Sequence, residues 1–211
     1  FMQWRPGTVC GVKARVMRIS FSGELAYEIN IEANYGRYIW DEVALAGKPW
    51  NITPYGTESM HVLRAEKGYI IVGQDTDGSM TPMDVNMNWI LAKDKPFSYI
   101  GRRSFSISAL NTDDRFQLVG LLTKDAHVVL PEGSHIINNK GSSIGYVTSS
   151  YFSPILRRSI AMAQLKGGLS KMTETVLVKI VQEKQGLKEI PCEVSSSVFY
   201  DIKGEKVDGN E

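Results

Sequence analysis

From Phe116 to Val181 the chain is written in short runs rich in β-branched and apolar residues: 116–122, 134–138, 143–149, 159–165 and 174–181. Turn formers separate them at Pro131-Glu132-Gly133, Asn139-Lys140-Gly141 and Lys166-Gly167-Gly168. Strands this short, at this spacing, close on themselves or stack in pairs, so a small all-β barrel or sandwich is expected. The polar run Asn111-Thr112-Asp113-Asp114 is the natural boundary in front of it, and the segment from Ser195 onward reads as a polar tail that frays. The expected organisation is therefore 1–112, 113–194 and a 195–211 tail.

The first part alternates between two periods. Val16, Met17 and Ile19 alternate loosely with Arg15 and Arg18, and beyond the Ser22-Gly23-Glu24 turn Leu25, Tyr27, Ile29 and Ile31 alternate with Ala26, Glu28, Asn30 and Glu32. That is a β-hairpin whose second strand has an apolar face and puts Glu28 on the other one. Tyr35, Tyr38, Ile39, Val43 and Ala46 recur at helical spacing before Gly47 and Pro49, and a second helix is expected from an N-cap at Thr53, with Pro54 at its first position, to Gly68. A short strand is expected between the two helices. Strands and helices in this order imply an α+β fold, an antiparallel sheet with packed helices, followed by the small barrel. A polar loop, 74–82, and a helix-like stretch, 101–110, complete this part. The opening Phe1-Met2-Gln3-Trp4 reads as a cut edge, a piece of something longer.

Composition narrows the function. At 211 residues with 43% hydrophobic and 22% charged residues the chain builds a core. Lys+Arg 24 against Asp+Glu 23 leaves a net charge of +1, without the basic excess a nucleic-acid partner requires. No apolar run approaches the roughly 20 residues that span a bilayer, and Cys10 and Cys192 form no pairing motif, so a cytoplasmic location, without membrane or nucleic acid, is expected. His61, His127 and His135 have no ligand spacing, so no metal is expected. No serine sits in a Gly-flanked elbow, and no Gly-rich phosphate loop follows a strand. Asp75-Thr76-Asp77-Gly78 has the start of a calcium loop, but position 86, where a bidentate Glu belongs, is Asn86.

Two polar anchors remain. Glu28 offers two acceptor oxygens to a planar donor edge, and Arg64, in Leu63-Arg64-Ala65-Glu66-Lys67-Gly68, offers a flat fork of donors. Converging on one pocket, they suit a polar, flat heterocycle. The plainer alternative is a solvated strand carboxylate and an arginine paired with Glu58 or Glu66 near its helix end. Spacing leaves both open.

The run from Thr53 to Gly78, with Leu63-Arg64-Ala65-Glu66-Lys67-Gly68 at its centre, closely resembles the C-terminal, aminomethyltransferase-like region of heterotetrameric sarcosine oxidase α subunits, in the glycine cleavage T-protein family. Ser22-Gly23-Glu24-Leu25-Ala26-Tyr27-Glu28 resembles the family's Gly-Glu-x-x-aromatic-Glu strand, and Val128-Val129-Leu130-Pro131-Glu132-Gly133 resembles a segment of its terminal barrel. The resemblance runs from about residue 1 to about 190. It implies that Glu28 hydrogen-bonds a pterin ring, that Arg64 lies at the same folate site, and that Phe21 and Tyr27 are its aromatic neighbours. A pterin shows an amino group beside a ring N–H, a donor pair that one carboxylate matches through bonds worth about 1.5–3 kcal/mol each.

The resemblance further implies tetrahydrofolate as the bound one-carbon acceptor, with FMN, FAD and NAD elsewhere in the complex. Other subunits of a sarcosine oxidase, especially the flavin-bearing one, are the implied partners. The family's catalytic aspartate lies upstream, so no catalytic residue is expected here and the chain alone is expected to be inactive. Val72 stands where relatives carry a tyrosine, and Asn86 and Asn88 where they carry small residues or glycine. Two alternatives remain: a glycine-cleavage aminomethyltransferase or related folate-dependent demethylase, and a non-catalytic assembly module of a flavin amine oxidase.

Overall fold

A computed structural model describes residues 1–92, 94–182 and 186–209. It divides into two compact units, Phe1–Arg64 with the C-terminal residues from Asp201, and Ala65–Tyr200. The Asn111–Asp114 run lies inside the second unit, because the segment from Ala65 packs on the strands that follow.

The first unit is built on three antiparallel strands, β1 Gln3–Val9, β2 Val12–Arg18 and β3 Glu28–Asn30, in that order. Cys10 and Gly11, at φ 48° and 79°, make the two-residue turn between β1 and β2, a geometry that asks for glycine at its second position. The hairpin expected across Ser22–Glu24 exists but is open: Met17 pairs with Glu28 and Arg15 with Asn30, and the whole of 19–27 is a loop. The expected long second strand shrinks to three residues, and Leu25, Tyr27 and Ile29 are exposed rather than core. Helix α1, Gly36–Gly47, follows as expected, burying Ile39 alone. Where a short strand was expected, Lys48–Trp50 is a single tight turn closed by Asn51 at φ 55°. Helix α2 spans Thr57–Glu66. It begins later than the Thr53-Pro54 signal predicts, since the Thr53 hydroxyl turns back to donate to the Asn51 carbonyl at 3.1 Å.

As far as Gly209 the tail folds rather than fraying. Asp201 accepts from the backbone N–H groups of Glu205 and Lys206, and Val207 is buried.

The second unit contains a closed six-stranded barrel in the order β4-β7-β6-β5-β8-β9. Its strands are β4 Phe116–Thr123, β5 His135–Ile137, β6 Ser143–Ser153, β7 Arg158–Lys166, β8 Thr175–Gln182 and β9 Gly186–Ser195. Alternate residues fill the interior, among them Val119, Leu121, Ala161, Ala163, Leu165 and Val194. The intervening Leu118, Ile160 and Met162 point outward and pack with Ala65 and Val85, so the chain from 65 to 87 covers one outer wall.

Cys192 lies in the interior, and burial pushes its thiol up to about 12. Because the thiolate is the reactive form, iodoacetamide at pH 8 is expected to modify Cys10, which is exposed, and to spare Cys192 in the native chain. Peptide mass mapping before and after denaturation reads this directly.

Candidate functional site

The three-stranded register sorts the sheet into two faces. Trp4 pairs with Met17 and Met17 with Glu28, so these three form one row across the sheet. At about 4.8 Å per strand the row is about 10 Å long, with an indole at one end and a carboxylate at the other. Arg15 lies over the Trp4 ring, 5.9 Å from its centroid. Glu28 is exposed, and among the described residues its carboxylate meets no donor. A flat ring placed over Met17 would meet apolar surface below and an acceptor edge at Glu28.

The opposite face carries Gln3, Arg5, Val16 and Arg18. With Tyr27 and the edge of Trp4 they line a hollow of about 320 Å³. Arg18 donates to the carbonyls of Val207 at 3.3 Å and Asp208 at 2.9 Å.

The end of α2 departs most from what a helix end of this composition suggests. Arg64, Glu66 and Lys67 are 0%, 4% and 6% exposed, while the apolar Met60, Val62 and Leu63 are half-buried. The Glu66 carboxylate accepts from the Ser153 hydroxyl at 2.6 Å, and its backbone carbonyl accepts from the N–H groups of Phe199 and Tyr200. Gly68, at φ 67°, ends the helix. Of the four residues singled out in the sequence, Phe21, Tyr27 and Glu28 therefore carry exposed surface, and Arg64 carries none.

Asp75 belongs to a different construction from a calcium loop. One carboxylate oxygen accepts from the hydroxyls of Thr148 at 2.6 Å and Ser149 at 2.7 Å, the other from the Ile71 N–H at 2.8 Å. The register between β6 and β7 shifts between Val147 and Ser149, and this bulge turns two consecutive hydroxyls toward one acceptor. Gln164 completes the arrangement by donating to the Asp75 carbonyl at 2.8 Å. Asn86, at φ 60°, donates to the Leu118 carbonyl, and Val72 is exposed.

Trp4, Met17 and Arg18 were not singled out from the sequence. The signal that finds them is the pairing of β1, which a reading of local alternation does not supply.

Comparison with known proteins fits both parts of this architecture. The GCVT N-terminal domain matches residues 1–95, and the glycine cleavage T-protein C-terminal barrel domain matches residues 117–201. The chain belongs to the glycine cleavage T-protein family. It is 43% identical to the sarcosine oxidase subunit alpha of Corynebacterium sp. (strain P-1), over 99% of this chain and 22% of that protein. With the corresponding subunit of Rhizobium meliloti (strain 1021) it shares 36% identity over 91% of this chain and 20% of the relative. An aminomethyltransferase of Halothermothrix orenii is 28% identical over 85% of this chain and 49% of its own length. The chain thus spans about a fifth of these sarcosine oxidase subunits and about half of that aminomethyltransferase. The crystal structure of the glycine cleavage system aminomethyltransferase T from Bartonella henselae superposes with a TM-score of 0.76 over 88% of this chain and 49% of that one, at 23% identity. The T-protein fold, a sheet with few helices followed by a closed six-stranded barrel, is therefore shared. Among the described residues, no helix is long and apolar enough to cross a membrane.

Proposed function

We propose that this chain is the C-terminal, folate-binding region of a sarcosine oxidase α subunit, working in the cytoplasm beside a flavin-bearing subunit. In this reading the N-methyl amine is oxidised at a flavin elsewhere in the complex. The resulting one-carbon unit then passes to tetrahydrofolate held here, giving glycine and 5,10-methylenetetrahydrofolate. FMN, FAD and NAD belong to the other parts of the complex.

One observation carries the proposal: an exposed carboxylate, without a donor among the described residues, at the end of the Trp4–Met17–Glu28 row of a T-protein-family sheet. That surface suits a pterin, whose amino group and ring N–H are paired donors and whose flat rings favour contact with apolar side chains. In this reading Glu28 takes the donor edge, and Phe21, Tyr27 and the buried Arg64 are the further members of the set that holds the ligand. These residues hold and orient the acceptor, so their contribution is proximity. Proton transfer belongs to a residue outside this chain.

Glu28→Gln keeps the side chain's shape but replaces one acceptor oxygen by a donor facing the ligand's own donors. The expected result is a loss in tetrahydrofolate affinity of about ten-fold or more, corresponding to one charge-assisted bond. Isothermal titration of the intact parent complex measures it, with amine oxidation at the flavin as the control. Equal affinity in the variant and the parent would remove Glu28 from the site and the proposal with it.

A further inference from the structure

The loop 19–27 leads directly into Glu28 and carries Phe21 and Tyr27. Within it the Ser20 hydroxyl accepts from the Gly23 N–H at 2.9 Å, and the Ser22 hydroxyl accepts from the Glu24 N–H at 3.4 Å. Further support comes from far along the chain. Arg18, the last residue before the loop, donates to the carbonyls of Val207 and Asp208. The Asp208 carboxylate lies 3.6 Å from the same guanidinium but is largely exposed, so the carbonyls are the main hold.

Two further features make the segment a fixed element. The Asp201 carboxylate gathers the N–H groups of Glu205 and Lys206, which shapes the turn Glu205–Val207 and buries Val207. Gly209 lies against the loop: a Cβ there would sit 2.9 Å from Cδ2 of Leu25, a side-chain end that touches the segment at this point. The segment thus grips the loop at two points, Arg18 at its root and Leu25 within it. Arg18 Nε is buried and has no hydrogen-bond partner among the described residues, so the hydrogen bonds that orient the guanidinium are those to the tail carbonyls.

We propose that the segment from Asp201 to Gly209 is a strap that sets Arg18 and the 19–27 loop and so presents Glu28, Phe21 and Tyr27 to the ligand. Arg18 is on this account a positioning residue that acts through the loop. The inference rests on the folate reading given above and deepens it, because it makes affinity at the sheet depend on residues about 180 positions downstream.

The test uses the intact parent complex and three variants: Arg18→Met, a chain ending at Tyr200, and the two combined. Tetrahydrofolate is titrated calorimetrically, and amide hydrogen exchange is followed by mass spectrometry. Each single change is expected to raise the folate dissociation constant about ten-fold, and the combined variant no further, since either change breaks the same link. Exchange in 19–27 quickens in all three, while the strands of the barrel keep their protection. Arg18→Lys recovers part of the affinity, because an ammonium reaches one of the two carbonyls. If truncation also loosens the barrel, the Arg18 variants, which leave the tail's own hydrogen bonds in place, carry the test. Unchanged exchange in 19–27, or losses that add in the combined variant, overturn the strap. Failure of the unaltered complex to bind tetrahydrofolate overturns the folate reading itself, and the inference falls with it.

Discussion

Replacing Asp75 by alanine is expected to destabilise the unit Ala65–Tyr200 by about 3–5 kcal/mol, because the change removes one carboxylate that three donors share. Asp75 is 0% exposed and receives the Ile71 N–H and the hydroxyls of Thr148 and Ser149. Thr148 has a second acceptor in the Met162 carbonyl at 3.1 Å, so its hydroxyl recovers part of the loss. The Ile71 N–H and the Ser149 hydroxyl each lose the carboxylate oxygen they donate to, and a buried donor left unsatisfied costs about 1–3 kcal/mol. Against a typical total of about 5–15 kcal/mol the loss is large. Urea unfolding followed by circular dichroism reads it as an earlier midpoint with an unchanged slope. Asp75→Asn keeps one acceptor oxygen and should fall between the two. An unfolding free energy within about 1 kcal/mol of the parent for Asp75→Ala would show that water replaces the carboxylate without penalty.

The second large effect is expected at Gly68, where two independent constraints coincide. Its φ of 67° lies in the left-handed region, which costs a residue with a side chain about 1–2 kcal/mol. A Cβ there would also lie 2.5 Å from the Ser197 carbonyl oxygen and 2.9 Å from its carbon, both backbone atoms that cannot rotate away. Relieving the overlap moves either Ser197, which is buried, or the end of α2, where the Glu66 carbonyl holds the N–H groups of Phe199 and Tyr200. Gly68→Ala is therefore expected to cost about 2–4 kcal/mol in all. At Gly73, where φ is 92° and nothing lies within 4 Å of the Cβ position, alanine meets only the backbone penalty. The difference between the two variants in one denaturation series isolates the contact with Ser197, and equal losses would refute it.

The barrel was legible because its information is local. Period-two alternation and Gly-containing turns marked five of its strands to within a few residues of β4 to β8. The strand that escaped, β9, contains Pro191, which lacks an N–H and so reads as a break; it is tolerated opposite Leu177, where its carbonyl still accepts from the Lys124 N–H. β1 hid for a similar reason, since Pro6 and Gly7 interrupt its alternation and only pairing with Arg15 and Ala14 makes it a strand.

The candidate site was legible as a list of residues and hidden as a surface. Glu28 was found from its own strand, but its neighbours depend on pairing: Met17 lies across the open hairpin, and Trp4 on a strand about 25 positions earlier, which no local period encodes. A helix end as charged as Arg64-Ala65-Glu66-Lys67 suggests exposure to solvent. Burial inverts that expectation, because Ser153, Phe199 and Tyr200, far along the chain, supply hydrogen bonds that solvent would otherwise give to Glu66.

The outward-facing row Leu118, Ile160 and Met162 carries a practical lesson for anyone dissecting this polypeptide. Cutting at the inviting acidic run before Arg115 would release a cylinder with one greasy stave bare, and with the hydroxyls of its β6 bulge deprived of Asp75. Such a piece should clump on expression. Starting at Ala65 instead keeps that stave clad.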